Sequence, residues 1–277
     1  MDSPAIIMNV RHIIAACTCI CFNLVVPLLS EEAAVSAPAC VPEIIAPKFA
    51  WVQETNTAFA PGEVLNFNVR WQFLTVGSAS MEINDIVDLN GRKAYHIITR
   101  ASSAPFFDTF FKVRDVNESW MDTESLSSLQ FISHISEGNY RKDETVIIDQ
   151  ESRKFTITES GKTGDVPAWV KDVLSSMYYL RTRDLAVGRE YSIDAHSGDK
   201  SWPLMVNVTG REKVKTPAGE FTCWVVEPAI REGAGIFKAS GKLKVWLTCD
   251  EKKLPVLMRS KVKVGAIEAR LVEMKVK

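Results

Sequence analysis

The chain contains no CxxC pair, no HExxH, no GxSxG elbow, no P-loop and no GxGxxG. The segments that metalloproteases, serine hydrolases, nucleotide-binding enzymes and dinucleotide oxidoreductases build on are therefore missing. Histidine is scarce, with four in 277 residues (His12, His96, His134, His196), and none has a metal-ligand neighbour at useful spacing. No metal, cofactor or catalytic residue is expected, and the chain reads as a non-enzyme. A formal net charge of -1 gives no argument for a nucleic-acid partner. Helical periodicity is also rare. Outside the N-terminus one stretch carries it, and the rest alternates with period two.

Among the residues present, charge is uneven. From Ser201 onward the chain has fifteen Lys and Arg against eight Asp and Glu. Solvated strand faces bearing Lys242, Lys244, Arg259, Lys261 and Lys263 account for this excess, and a surface for anionic lipid or an acidic partner is the alternative. At the other end Arg11 and His12 precede an apolar run from Ile13 to Leu29. With the small-residue tract Ala37-Pro38-Ala39 behind it, the run reads as an export signal, either cleaved or retained as a membrane anchor. Residues 1–39 thus form the signal or anchor segment, residues 40–60 a Pro- and Ala-rich linker, and residues 61–277 a single antiparallel β domain.

Three of the six cysteines, Cys17, Cys19 and Cys21, lie in the apolar run. Cys40 follows small residues and is a candidate for lipidation, although Ala37-Pro38-Ala39 lacks the large aliphatic residue of a lipobox. Cys223 and Cys249 each share the apolar parity of a strand. If those strands pair antiparallel, Cys223 faces Cys249, and export would permit a disulfide between them; two buried thiols are the other reading.

Along the domain, Phe67, Val69, Trp71 and Phe73 alternate as one face of a strand, and Asn90-Gly91 marks a hairpin turn. Strands follow at short intervals, giving antiparallel neighbours rather than βαβ units. Phe106, Phe107, Phe110 and Phe111 make an aromatic cluster, either a plug at one end of the sheet or an exposed lip. A Gly-rich loop around Ile236 and Phe237 is a candidate lid. The helical stretch is Val166–Thr182, with Pro167 in its first turn, Asp165 as its cap, and Trp169, Val173 and Met177 toward the sheet. Arg181 and Arg183 lie where a helix end favours positive charge. The tryptophans read as core or interface residues, with a carbohydrate platform as a lesser reading. The expected fold is mainly β: a curved antiparallel sheet or open barrel with one packed helix.

The segments Gly62-Glu63-x-Leu65, Val113-Arg114-Asp115 with Glu118, Asp172–Arg181, Thr216-Pro-Ala-Gly-Glu-Phe221, Glu227-Pro228 and Lys244-Val-Trp-Leu-Thr248 with Asp250 and Leu254-Pro255-Val256 resemble the bacterial domain-of-unknown-function family 3108 over residues 60–275. That resemblance implies an exported β protein in the periplasm or envelope of a Gram-negative bacterium and carries over no catalytic residue. Two functions follow as expectations. One is a carrier for lipid or another hydrophobic envelope molecule, held in an apolar pocket between helix and sheet. The other is a scaffold that binds an envelope protein through a sheet edge or the basic C-terminal strands.

Overall fold

The computed structural model describes residues 49–230, 243–262 and 265–276. The apolar run, Cys40, Ile236 and Phe237 lie outside them. Among the described residues no helix is long and apolar enough to cross a membrane.

Fourteen strands form one antiparallel sheet in the order β8-β7-β6-β5-β4-β3-β2-β1-β14-β13-β12-β11-β10-β9. They are β1 (Val64–Trp71), β2 (Leu74–Leu89), β3 (Arg92–Ser103), β4 (Arg114–Asp122), β5 (Ser128–Glu137), β6 (Tyr140–Asp149), β7 (Lys154–Ile157), β8 (Lys162–Asp165), β9 (Glu190–Ser197), β10 (Lys200–Thr216), β11 (Gly219–Ile230), β12 (Leu243–Thr248), β13 (Pro255–Lys261) and β14 (Ala266–Lys275). Nearly every neighbour in space is a neighbour in sequence, because short turns allow only hairpins. The exception is β1 against β14, which joins the two halves of the chain. Helix α1 (Pro105–Asp108) follows β3, and helix α2 (Val173–Arg181) lies between β8 and β9.

Helix α2 is the main departure from the sequence reading. It starts at Val173, not Val166, and its cap is Asp172. Asp165 instead ends β8, where it pairs with Lys154 at 3.0 Å. Residues 166–172 are not helical, with a turn at Ala168-Trp169 where Trp169 takes a φ of 60°, because they have another task. The two ends of the sheet approach each other, and this segment stitches them. Val170 accepts a hydrogen bond from Ser128 N of β5, while Lys171 N donates to Asp194 O and His196 N donates to Lys171 O. Backbone groups near a buried sheet edge need partners, and that need overrides local helical propensity. The change in phase also moves the buried face. Leu174, Ser175, Tyr178, Leu180 and Arg181 are buried, whereas Val173 and Met177 only flank the core.

Leu174, Tyr178 and Leu180 join Phe67, Met81, Ile97, Met121, Val225, Trp246 and Leu271 in one continuous core. These three side chains thus pack from the helix against the sheet, the side on which the pocket was expected. Residues 49–60 are likewise not a free linker once Phe49 is reached. Asn56 Oδ1 accepts from Ala58 N and Phe59 N, Ala58 and Phe59 are buried in the core, and Glu54 pairs with Arg183 at 2.7 Å. Trp51 lies under the Arg92 guanidinium and beside Trp169.

Where the ends of the sheet meet, His196 of β9 packs against Phe155 of β7 with ring centroids 4.7 Å apart. Its Nδ1 meets Ser201 Oγ at 2.8 Å, and its Nε2 has no partner. Burial pushes its pKa down to about 4, opposed by the Gly198 backbone and by Asp199. Lys162 and Asp199 pair across the same closure at 2.5 Å. The native state holds His196 neutral, while the unfolded chain takes up a proton below about 6.5. Stability contributed by this residue is therefore complete above pH 6.5, falls by roughly 3 kcal/mol between pH 6.5 and 4, and is flat below. Urea unfolding at stepped pH should show that slope, and a His196→Phe variant should lack it.

Candidate functional site

At one end of the sheet, the β1–β2 turn, the β3–β4 connection, the β5–β6 hairpin and the β13–β14 turn come together. Gln72 adopts a φ of 54° at the first of these turns, which ends β1 at Trp71 and throws Phe73 outward. Phe73 is 75% exposed and does not continue the buried face expected of it. The alternation Phe67-Val69-Trp71-Phe73 gave no hint of this, since it runs unbroken through the turn.

The β3–β4 connection divides the four phenylalanines. Phe111 is buried with Val69, Val76, Val113 and Ile267, and Phe107 packs at the margin of that cluster. Phe106 and Phe110 project into solvent, 71% and 56% exposed, with centroids 5.7 Å apart. Plug and lip are thus both present, in different residues. Gly138 makes the plug possible: a Cβ there would stand 2.6 Å from the Phe111 ring. Pro105 opens α1, and Asp108 fixes it by accepting from Ser103 Oγ and from Arg114 Nη2, the latter at 2.6 Å. The Arg114 guanidinium and Ser103 hydroxyl hold the Asp108 carboxyl below the usual range.

Leu74 and Tyr140 add further exposed apolar surface to this rim. Around it stand Lys112, Arg141 and Lys261, all exposed. Of the acidic groups there, Asp108 is matched by Arg114 and Glu137 is buried. The rim is therefore apolar at its crest and cationic at its collar.

The other candidate residues are not gathered here. Cys223 and Cys249 are free thiols, and Cys223 pairs across the sheet with Thr248 rather than with Cys249. The strands do pair antiparallel, but with a register one residue from that expected, so the two thiols are not opposite one another. Burial raises the Cys223 thiol to about 12, with Cys249 adding to the effect. The histidines have separate partners: His96 meets Glu118 at 2.6 Å and stacks on Trp120, and His134 meets Asp143 at 2.7 Å. Among the described residues no three His, Cys, Asp or Glu side chains converge as metal ligands. Of the C-terminal basic residues, Lys244 pairs with Glu227, and both Arg259 and Arg270 pair with Glu268; Lys242 and Lys263 lie outside the described residues.

The sequence profile of a family described as protein of unknown function (DUF3108) matches residues 66–272. No curated protein matches the chain. Among solved structures, the chain is similar to a β-barrel-like protein of the domain of unknown function DUF1849 from Brucella abortus, with a TM-score of 0.56 and 11% identity over 80% of this chain and all of that one. That likeness concerns the fold alone. A DUF1089 family protein from Pseudomonas aeruginosa aligns over 75% of this chain and 94% of its own at 11% identity, with a TM-score of 0.35, too loose to bear on the fold.

Proposed function

This chain belongs to the DUF3108 family of proteins of unknown function, and from that premise we propose that it is an exported, non-enzymatic envelope domain that attaches to anionic lipid surfaces through its aromatic rim. The observation that carries this reading is the concentration of exposed Phe73, Phe106 and Phe110 at one end of the sheet, ringed by Lys112, Arg141 and Lys261. Water-exposed aromatic rings gain by entering the acyl boundary, at about 25 cal/mol per Å² of apolar surface removed from water. Basic side chains at the depth of the headgroups add attraction to anionic lipid. The rim is supported from below by the small apolar cluster around Phe111, so the exposed rings sit on a rigid base.

Surface attachment has better support than carriage inside the fold, because Leu174, Tyr178 and Leu180 occupy the interior. A scaffold acting through a sheet edge has less. β8 is four residues long, and residues 166–172 cover the approach between β5 and β9.

Vesicles of phosphatidylglycerol should sediment a chain beginning at residue 41, and vesicles of phosphatidylcholine should do so weakly. Phe106→Ser with Phe110→Ser should lower the partition at least tenfold while leaving the melting temperature unchanged, since both rings are largely in water. Raising salt should weaken the attachment by screening the collar. Equal sedimentation of the double variant and the parent would overturn the proposal.

A further inference from the structure

Directly below the rim, on the solvent side of β14-β1-β2-β3-β4, lies a groove of about 490 Å³. That volume is within the range of small-molecule sites, about 300–1,000 Å³. The strand register accounts for it. Asn68 pairs with Ser78, Ser78 with Ser102, and Ser102 with Arg114, which makes one row across four strands. A second row runs Glu273, Asn66, Ser80, Arg100. Outward positions two residues apart along a strand stand roughly 7 Å apart, so the rows flank a strip as broad as a sugar ring. The short side chains of Ser78 and Ser102 in the first row and Ser80 in the second leave the depression, and longer side chains wall it at either side.

The chemistry of the two rows is mixed and nearly balanced. Asn66 Nδ2 donates to Glu273 Oε2 at 3.1 Å, and the Ser78 and Ser102 hydroxyls are 3.1 Å apart. Each guanidinium brings its own carboxylate: Arg100 meets Glu82 at 2.8 Å and Arg114 meets Asp108 at 2.6 Å. A free anion therefore finds no net positive charge here. Ser80 Oγ also donates to Glu82 Oε1 at 3.1 Å. A polyhydroxyl ligand can exchange bonds with such a neutral, mutually paired set, since a sugar hydroxyl both gives and takes a hydrogen bond. The Arg114 row is also continuous with the rim, because Asp108, which Arg114 holds, belongs to the same helix as Phe106.

We infer that this groove is a binding site for an uncharged sugar headgroup, taken from an amphiphile whose acyl part lies on Phe106 and Phe110. The inference builds on the lipid-facing assignment of the rim. A free glycan offers the same hydroxyls as a glycolipid, and the test separates the two sources.

The full chain, labelled with ¹⁵N, is titrated with maltose, with octyl maltoside below its micelle concentration and with octyl phosphocholine. Amide shifts of Asn66, Asn68, Ser80 and Ser102 report occupancy. Octyl maltoside should bind at least tenfold more tightly than octyl phosphocholine, and Ser102→Trp, which fills the groove from an accessible position, should abolish the difference. Octyl maltoside binding well ahead of maltose points to a glycolipid; equal binding of the two points to a free glycan and removes the acyl part of the inference. Equal binding of octyl maltoside and octyl phosphocholine, or a preference that survives Ser102→Trp, would overturn the site. Failure of the rim reads differently: Phe106→Ser with Phe110→Ser would leave vesicle sedimentation unchanged, whereas the groove shifts with maltose do not depend on those rings.

Discussion

Arg181→Met is expected to cost the protein about 3–5 kcal/mol, the range found when one member of a buried ion pair is removed. Against a total stability of about 5–15 kcal/mol for a typical domain, that is enough to populate the unfolded chain. Arg181 and Glu63 are both essentially inaccessible, and their two N–O contacts measure 2.6 and 2.7 Å. Two further guanidinium donors go to backbone carbonyls, Ala58 O at 3.3 Å and Lys252 O at 3.0 Å. One side chain thus ties α2 to the start of β1, to the segment before it and to the β12–β13 turn. Removing it leaves the Glu63 carboxylate buried without its cation. Glu63→Gln should cost less, because an amide oxygen can still accept from the guanidinium. The pair replaced together by Leu and Met should recover much of the loss, since a buried ion pair gives little net stability over apolar groups of similar volume. Chemical denaturation of the three variants checks the order. An Arg181→Met protein with parental stability would mean that this pair is not buried in solution.

Asp172→Ala is expected to cost about 4 kcal/mol. Asp172 Oδ1 accepts from Leu174 N and Ser175 N at 2.8 and 2.9 Å, the capping bonds of α2. Its Oδ2 accepts from Ser119 Oγ of β4 and Ser128 Oγ of β5, each at 2.6 Å. Loss of a cap costs about 0.5–2 kcal/mol, and each buried donor stranded without an acceptor adds about 1–3 kcal/mol. Burial pushes the carboxyl upward, and these four bonds oppose that shift. Asp172→Asn should recover about half of the loss, because its oxygen can keep the cap while its amide must turn toward two hydroxyls that can rotate to accept. Thermal unfolding of the Ala and Asn variants distinguishes this arrangement from a simple surface cap, for which Asn would match the parent and Ala would cost only about 0.5–2 kcal/mol.

Both residues belong to segments that carry the family resemblance, and their observed work is structural. The same holds elsewhere in those segments. Gly62 takes a φ of 87° and donates to Ile83 O at 2.7 Å. Asp115 Oδ1 accepts from Ser136 N at 2.7 Å. Thr248 and Asp250 shape the β12–β13 turn, Thr248 Oγ1 donating to Asp250 at 2.7 Å and accepting from Leu254 N at 2.8 Å. These motifs hold the fold together, which is why they point to a family without pointing to a reaction.

By itself the sequence determined the β character, the antiparallel hairpin order and the existence of one substantial helix. Period-two alternation and short turns are local signals, and they survive folding wherever one face is buried and the other wet. It also separated the aromatic cluster at 106–111 from its surroundings. What it did not determine depends on contacts far apart in the chain. The helix lost residues 166–172 because the two ends of the sheet needed their backbone partners. Phe73 left the core because the chain turned at Gln72. Cys223 met Thr248 because pairing register is set by the whole sheet. The rim gathers four connections, and the groove gathers two polar rows, from residues up to 207 positions apart, as Asn66 and Glu273 are. Tertiary structure alone decided those meetings, because side-chain neighbours across a sheet are fixed by register and closure, to which no local stretch of sequence has access.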